Sequence, residues 1–140
     1  MNFEQCCQYL ASKPEAKLSF PFDEHVHVYK VCNKMFALIS PTSMTTQNNP
    51  RKAAQMNLKC DPIHAQELRD VFDAVIPGYH MNKKHWNTLV LDGSLPGSEI
   101  TRLIDHSYAL VASKLTRAQK QPLELRYSET QLYKGLKPFE

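Results

Sequence analysis

Phe3, Cys6, Cys7 and Leu10 recur at i, i+3, i+4 and i+7, the spacing of one helix face, and Pro14 stops that helix. A short strand follows around Lys17–Phe20. Val26–Val31 and Met35–Ile39 are then rich in β-branched, aromatic and aliphatic residues and read as paired strands. Cys32-Asn33 lies between them, and Asn tolerates the left-handed conformation, so a tight hairpin turn is expected. Pro41–Pro50 holds Ser, Thr, Asn and Gln without a period, the pattern of a loop. Met56, Leu58 and Cys60 alternate with Gln55, Asn57 and Lys59, as in a strand with one polar face.

Asp61-Pro62 opens a second helix: Asp caps, and Pro suits the first turn. Leu68, Val71 and Phe72, with Val75 just beyond, are its expected buried stripe. Pro77-Gly78 reads as a turn, Thr88–Leu91 as a strand and Asp92-Gly93 as another turn. The longest helix begins after Leu95-Pro96-Gly97, where Ile100, Leu103, Ile104, Ser107, Val111 and Leu115 keep one face apolar. Past Lys120 the period fails, and Gln121–Glu140 reads as a tail anchored by Leu123, Leu125, Tyr133 and Phe139. Without an internal repeat, the expected architecture is a single α+β domain with an antiparallel sheet and helices packed on one face. Residues 1–117 form that domain, and residues 118–140 a C-terminal tail, packed or partly mobile.

Composition changes this picture little. A length of 140 residues suits one domain, and 42% hydrophobic with 22% charged residues argues against disorder. No apolar run approaches the roughly 20 residues needed to span a bilayer, and Met1–Gln5 lacks the start of a signal peptide. A cytoplasmic location without a membrane partner is expected. Cys6 and Cys7 are adjacent, and Cys32 and Cys60 sit in apolar runs, so reduced structural thiols are expected.

Charge distribution changes it more. The net charge is +3, with a pI near 8.7, below the value of about 9 that marks a strongly basic nucleic-acid binder. Yet His25–Cys60 contains no carboxylate, against Lys30, Lys34, Arg51, Lys52 and Lys59. Ala74–Leu91 contains none either, against Lys83 and Lys84, whereas Asp61, Glu67, Asp70 and Asp73 gather around the second helix. A basic surface built from strands and hairpins is therefore expected, with at least three of Lys30, Lys34, Lys59, Lys83 and Lys84 contiguous and away from Asp70 and Asp73.

Tyr79, His80, Asn82, Lys83, Lys84, His85 and Asn87 bring cations, amide donors and an aromatic ring into one short stretch, with the chemistry to meet phosphates and bases. Trp86 among them reads instead as a core anchor for the strand that follows. Arg51 and Lys52 lie in a polar loop, and Lys30 and Lys34 flank the hairpin turn. Other chemistries are poorly served. His25, His27, His80 and His85 are imidazoles without zinc-site spacing, and Gly93-Ser94-Leu95-Pro96-Gly97 lacks the nucleophile elbow. Four glycines form no phosphate-cradling loop. No catalytic residue, metal or cofactor is expected.

FPFDEHVHVYKVCNKMFALIS (Phe20–Ser40), MNLKCDPIHAQELR (Met56–Arg69) and VIPGYHMNKKHWNTLVLDGSLPGSEITRLIDHSYALV (Val75–Val111) together resemble the MmcQ/YjbR family of small bacterial proteins, over about the first 115 residues. PGYHMNKKHWNT at Pro77–Thr88 is the most specific part, and Asn33 stands where the family usually has Gly. The resemblance implies a CyaY-like α+β fold and a proposed DNA-binding role through paired β-hairpin wings. It also raises iron binding by analogy, but the first helix offers only Glu4 as a carboxylate. The expected function is thus non-enzymatic, weak or non-specific DNA binding through phosphate contacts. Its alternatives are a protein-interaction or small-molecule-binding domain using the groove around His80–Trp86, and a cryptic enzyme.

Overall fold

The computed structural model describes residues 1–42, 53–78 and 81–137. Its elements run α1 (Phe3–Ala11), β1 (Lys17–Ser19), β2 (His27–Val31), β3 (Lys34–Ser40), β4 (Ala54–Lys59), α2 (Pro62–Val71), β5 (Val75–Pro77), β6 (Trp86–Leu91), α3 (Gly97–Ser113), α4 (Arg117–Arg126) and α5 (Glu129–Tyr133). The strands form one antiparallel sheet in the order β1-β2-β3-β4-β6-β5. Its edges are the two three-residue strands, and short edges limit unwanted pairing with other chains. Ala37, Ile39, Met56, Leu58 and Leu89 face Cys6 and Leu10 of α1, Ala65 and Leu68 of α2, and Leu103, Ile104 and Tyr108 of α3. A smaller cluster of Val28, Leu38 and Trp86, flanked by Val26, Met35 and Met81, contains no helix residue. The α+β architecture with an open antiparallel sheet is the expected one.

Local chemistry explains the joints. Cys32 and Asn33 have φ of 46° and 65°, so both central residues of the β2–β3 turn are left-handed, the type that matches the twist of paired strands. Asn33 adopts this conformation readily. Asp61 caps α2 by accepting from the amides of Ile63 and His64 at 3.1 and 3.3 Å, with Pro62 following it. Gly78 is required by close approach: a Cβ there would lie 2.8 Å from the Cβ of Trp86.

One irregularity matters for the site. The register slips between Tyr29↔Ala37 and Lys30↔Met35, leaving Phe36 as an extra residue in β3. Phe36 turns into the helix-side core, with its ring edge-on to Tyr108 at 5.1 Å. Ser107 of α3 reaches the backbone at this bulge. Its Oγ donates to the carbonyl of Phe36 at 2.6 Å and accepts from the amide of Lys59 at 2.9 Å. One hydroxyl therefore bridges β3 and β4 where the ladder is interrupted.

Three expectations need correction. Val71 is 72% exposed, because α2 ends there and the chain turns at Asp73-Ala74, whereas Val75 just beyond is buried as expected, from β5. The strand expected at Thr88–Leu91 starts two residues earlier, at Trp86. Beyond Lys120 the chain is helical rather than aperiodic. Thr116 with Gln119 and Ser128 with Gln131 form capping boxes for α4 and α5. Leu123 and Leu132 are the buried anchors there, while Leu125 is 88% exposed. These helices are tied back by an Arg126–Glu15 ion pair at 2.7 Å and by His106, whose Nδ1 meets the Gly135 carbonyl at 2.7 Å. Phe139 lies outside the described residues.

Candidate nucleic-acid interface

Three lysines from three elements converge where the hairpin end of the sheet meets the C-terminus of α3. Lys34 is the first residue of β3, placed by the tight turn before it, and is exposed. Lys59 is the last residue of β4, with its ammonium 6.0 Å from the Trp86 ring centroid and its amide held by Ser107. Lys114 is the C-cap of α3. They border an open groove of about 360 Å³ whose apolar lining comes from Met35, Trp86, Val111 and Leu115. Burial first, then the charges of Lys114 and Lys34, push the Lys59 ammonium below its ordinary value of 10.5. Among the described residues, no carboxylate forms an ion pair with any of the three.

The turn before β6 adjoins this groove. The Asn82 side chain accepts from the amide of Lys84 at 3.0 Å, and its carbonyl accepts from the amides of His85 and Trp86 at 3.1 and 2.9 Å. The amide of Cys60 donates to the His85 carbonyl at 2.8 Å, fastening the turn to the chain just after Lys59. Lys83 and Lys84 are exposed there, while His85 is half-buried. Lys30 lies on β2, opposite Lys17 of β1 and Met35 of β3. Two like charges directly opposite on neighbouring strands repel.

Of the expected five-lysine patch, Lys34 and Lys59 share the groove, and the third cation is Lys114 from a helix end rather than another strand lysine. Asn87 is corrected outright. It is 2% exposed, and its side-chain nitrogen donates to the Ala65 carbonyl at 3.3 Å, so it joins β6 to α2 and presents nothing to a ligand. Trp86 is 7% exposed and anchors the smaller cluster, as its reading as a core residue expects. Arg51, Lys52, Tyr79 and His80 lie outside the described residues. His27 is packed edge-on between the rings of Phe3 and Phe20, and burial lowers its pKa.

Sequence reasoning missed Lys114 and Lys17. The signal for Lys114 was available, because His106–Leu123 is a third stretch without a carboxylate and carries Lys114, Arg117 and Lys120. The amphipathic period of α3 drew attention to its buried stripe instead. Lys17 carries no sequence signal, since its role depends on facing Lys30 across a strand pair. Among the described residues, no three His, Cys, Asp or Glu side chains cluster in a way that would hold a metal, and no helix is long and apolar enough to cross a membrane.

Comparison with known proteins gives this geometry a family context. Residues 11–110 match the YjbR family. The YjbR protein of Escherichia coli (strain K12) is 34% identical over 123 residues, covering 88% of this chain and 98% of that protein. A Bacillus subtilis protein, YyaQ, is 44% identical over 55 residues, 39% of this chain and 46% of its own. A crystal structure from Deinococcus radiodurans superposes with a TM-score of 0.74 at 33% identity, over 88% of each chain. One from Pseudomonas syringae reaches 0.67 at 31% identity, covering 79% of this chain and 98% of its own. With the family matched across most of the sheet and α3, and full-length relatives above 30% identity, the chain belongs to the YjbR family.

Proposed function

We propose that this protein is a non-enzymatic DNA-binding module that holds the phosphate backbone of a duplex weakly and without sequence selection. The observation that carries this reading is the convergence of Lys34, Lys59 and Lys114 on one groove, with no carboxylate paired to them among the described residues. Neutralising cations near a polyanion release its condensed counterions, and that entropy supplies most of the non-specific affinity. Lys83 and Lys84 extend the charge along the same end of the sheet. Asp70 of α2 accepts from the Gln66 side chain at 2.9 Å.

Binding of a labelled random duplex across a salt series tests the reading. With four or so phosphates neutralised, log affinity should fall against log salt with a slope of roughly −3 to −4, at a Kd of about 10⁻⁴ to 10⁻⁶ M. Lys83→Gln with Lys84→Gln should weaken every sequence alike. Absence of binding at low salt would overturn the proposal. A second reading, a small-molecule site, is favoured by one observation: the groove is concave and partly apolar, and its volume lies within the ~300–1,000 Å³ of ordinary ligand pockets.

A further inference from the structure

The three lysines of the groove differ in how much the fold alone accounts for them. Lys114 caps α3, where the negative end of the helix favours a cation. Lys34 follows a tight turn, where an exposed charge is commonplace. Lys59 has no such account. It is half-buried over Trp86, between two other cations, and lacks an anionic partner among the described residues. Three mutually repelling ammoniums beside an apolar surface would be stabilised by a bound anion, and the charge favours a dianion over a single diester.

The apolar lining narrows the choice. Met35, Val111, Leu115 and the exposed margin of Trp86 offer nothing to a bare inorganic ion, but they give a place for a flat apolar body. Trp86 is too buried to stack face-on. A continuous duplex is convex and presents phosphates without a protruding base, so it would leave this concavity unfilled.

We infer that the groove seats a single nucleotide bearing a terminal phosphate, with the phosphate among Lys34, Lys59 and Lys114 and the nucleoside against Met35, Val111 and Leu115. This narrows the phosphate-binding reading above and rests on it. The same chemistry is offered by a free mononucleotide and by the phosphorylated end of a strand.

Trp86 is the sole tryptophan of the chain, so its intrinsic fluorescence reports on the groove. The full-length protein is titrated at low salt with adenosine 5′-monophosphate, adenosine, inorganic phosphate, a short single strand with and without a 5′-phosphate, and closed-circular duplex DNA. Calorimetry repeats each titration independently of the fluorophore. The mononucleotide should bind with a Kd below about 1 mM, and adenosine or phosphate alone at least about tenfold more weakly. Lys59→Gln and Lys114→Gln should each weaken it roughly ten- to a hundredfold, as loss of a charge-assisted contact does. Lys134→Gln should leave it within about twofold, since that exposed lysine at the end of α5 does not line the groove. Lys114 is exposed, so its variant separates lost binding from lost folding, and a melting curve confirms it. Tighter binding of the 5′-phosphorylated strand than of its 5′-hydroxyl form supports a strand end as the source, and binding of the mononucleotide alone supports a free nucleotide. Inorganic phosphate binding as well as the mononucleotide would overturn the nucleotide assignment. Duplex binding that persists with no mononucleotide response would overturn this inference and leave the DNA reading standing. Mononucleotide binding without any duplex binding would do the reverse.

Discussion

Replacing Ser107 with Ala removes one oxygen and unlinks three elements. Its Oγ donates to the Phe36 carbonyl at 2.6 Å and accepts from the Lys59 amide at 2.9 Å, and Ser107 is fully buried. Because Phe36 is the bulged residue of β3, no ladder bond stands ready to replace either contact. A buried backbone group left without a partner costs about 1–3 kcal/mol. The Phe36 carbonyl should bear most of that cost, while the Lys59 amide, at a strand end, is reached by water more easily. We expect Ser107→Ala to destabilise the protein by about 2–4 kcal/mol. For 140 residues, an unfolding entropy of about 0.3 kcal/mol/K converts 3 kcal/mol into a fall in Tm of about 10 °C. Urea unfolding and thermal melts measure both quantities. Ser113→Ala is the control: that hydroxyl donates only to the Leu110 carbonyl of its own helix at 2.9 Å and should cost less than about 0.5 kcal/mol. Because Ser107 also fixes the backbone of Lys59, its loss should weaken anion binding at the groove as well. A Ser107→Ala cost no larger than that of Ser113→Ala would refute the view that this hydroxyl replaces the interrupted ladder.

Two further outcomes follow from the interior. Burial lowers the pKa of His27, His64 and His106 below 6.5, and His106 uses its neutral form, donating from Nδ1 to Gly135 while its Nε2 accepts from the Asp61 amide at 3.1 Å. The unfolded chain therefore takes up protons near pH ~6.5 that the folded chain resists, so stability should hold above that pH and decline as pH falls below it. Urea midpoints from pH 8 to pH 5 measure this, and a midpoint rising toward pH 5 would contradict it. Leu132→Ala in α5 should cost about 2–5 kcal/mol, because Leu132 is 1% exposed, whereas Leu125→Ala should cost less than about 0.5 kcal/mol. Equal melting points for the two variants would show that α5 is not part of the cooperative core.

Signals that act within one element were legible in the sequence. The left-handed pair at Cys32-Asn33, the Asp61 cap and the period of α3 each depend on neighbours a few residues away. The expected family and α+β architecture were legible for the same reason, as ordered runs of such signals. Val71 was misplaced because its apolar spacing continues past the turn at Asp73-Ala74, and spacing alone does not mark a helix end. The helices after Lys120 were missed although Thr116-x-x-Gln119 and Ser128-x-x-Gln131 signal their starts, because Pro122 and a polar composition mask the period. Asn87 and Ser107 were illegible in a stronger sense. Each gets its role from a backbone group far along the chain, Ala65 for one and Phe36 with Lys59 for the other. The groove needed the same long-range information: Lys34, Lys59 and Lys114 are scattered in sequence and meet only after the sheet and α3 have packed.

The central claim is that those three lysines are the protein's phosphate contacts. The most direct test is anisotropy of a labelled duplex across a salt series, comparing the wild type with the combined Lys34→Gln, Lys59→Gln and Lys114→Gln variant. Each cation that meets a phosphate contributes about 0.9 to the slope, so the variant's slope should be shallower by roughly 2–3 and its low-salt affinity much reduced. A folded variant that binds duplex with the wild-type slope would contradict the account.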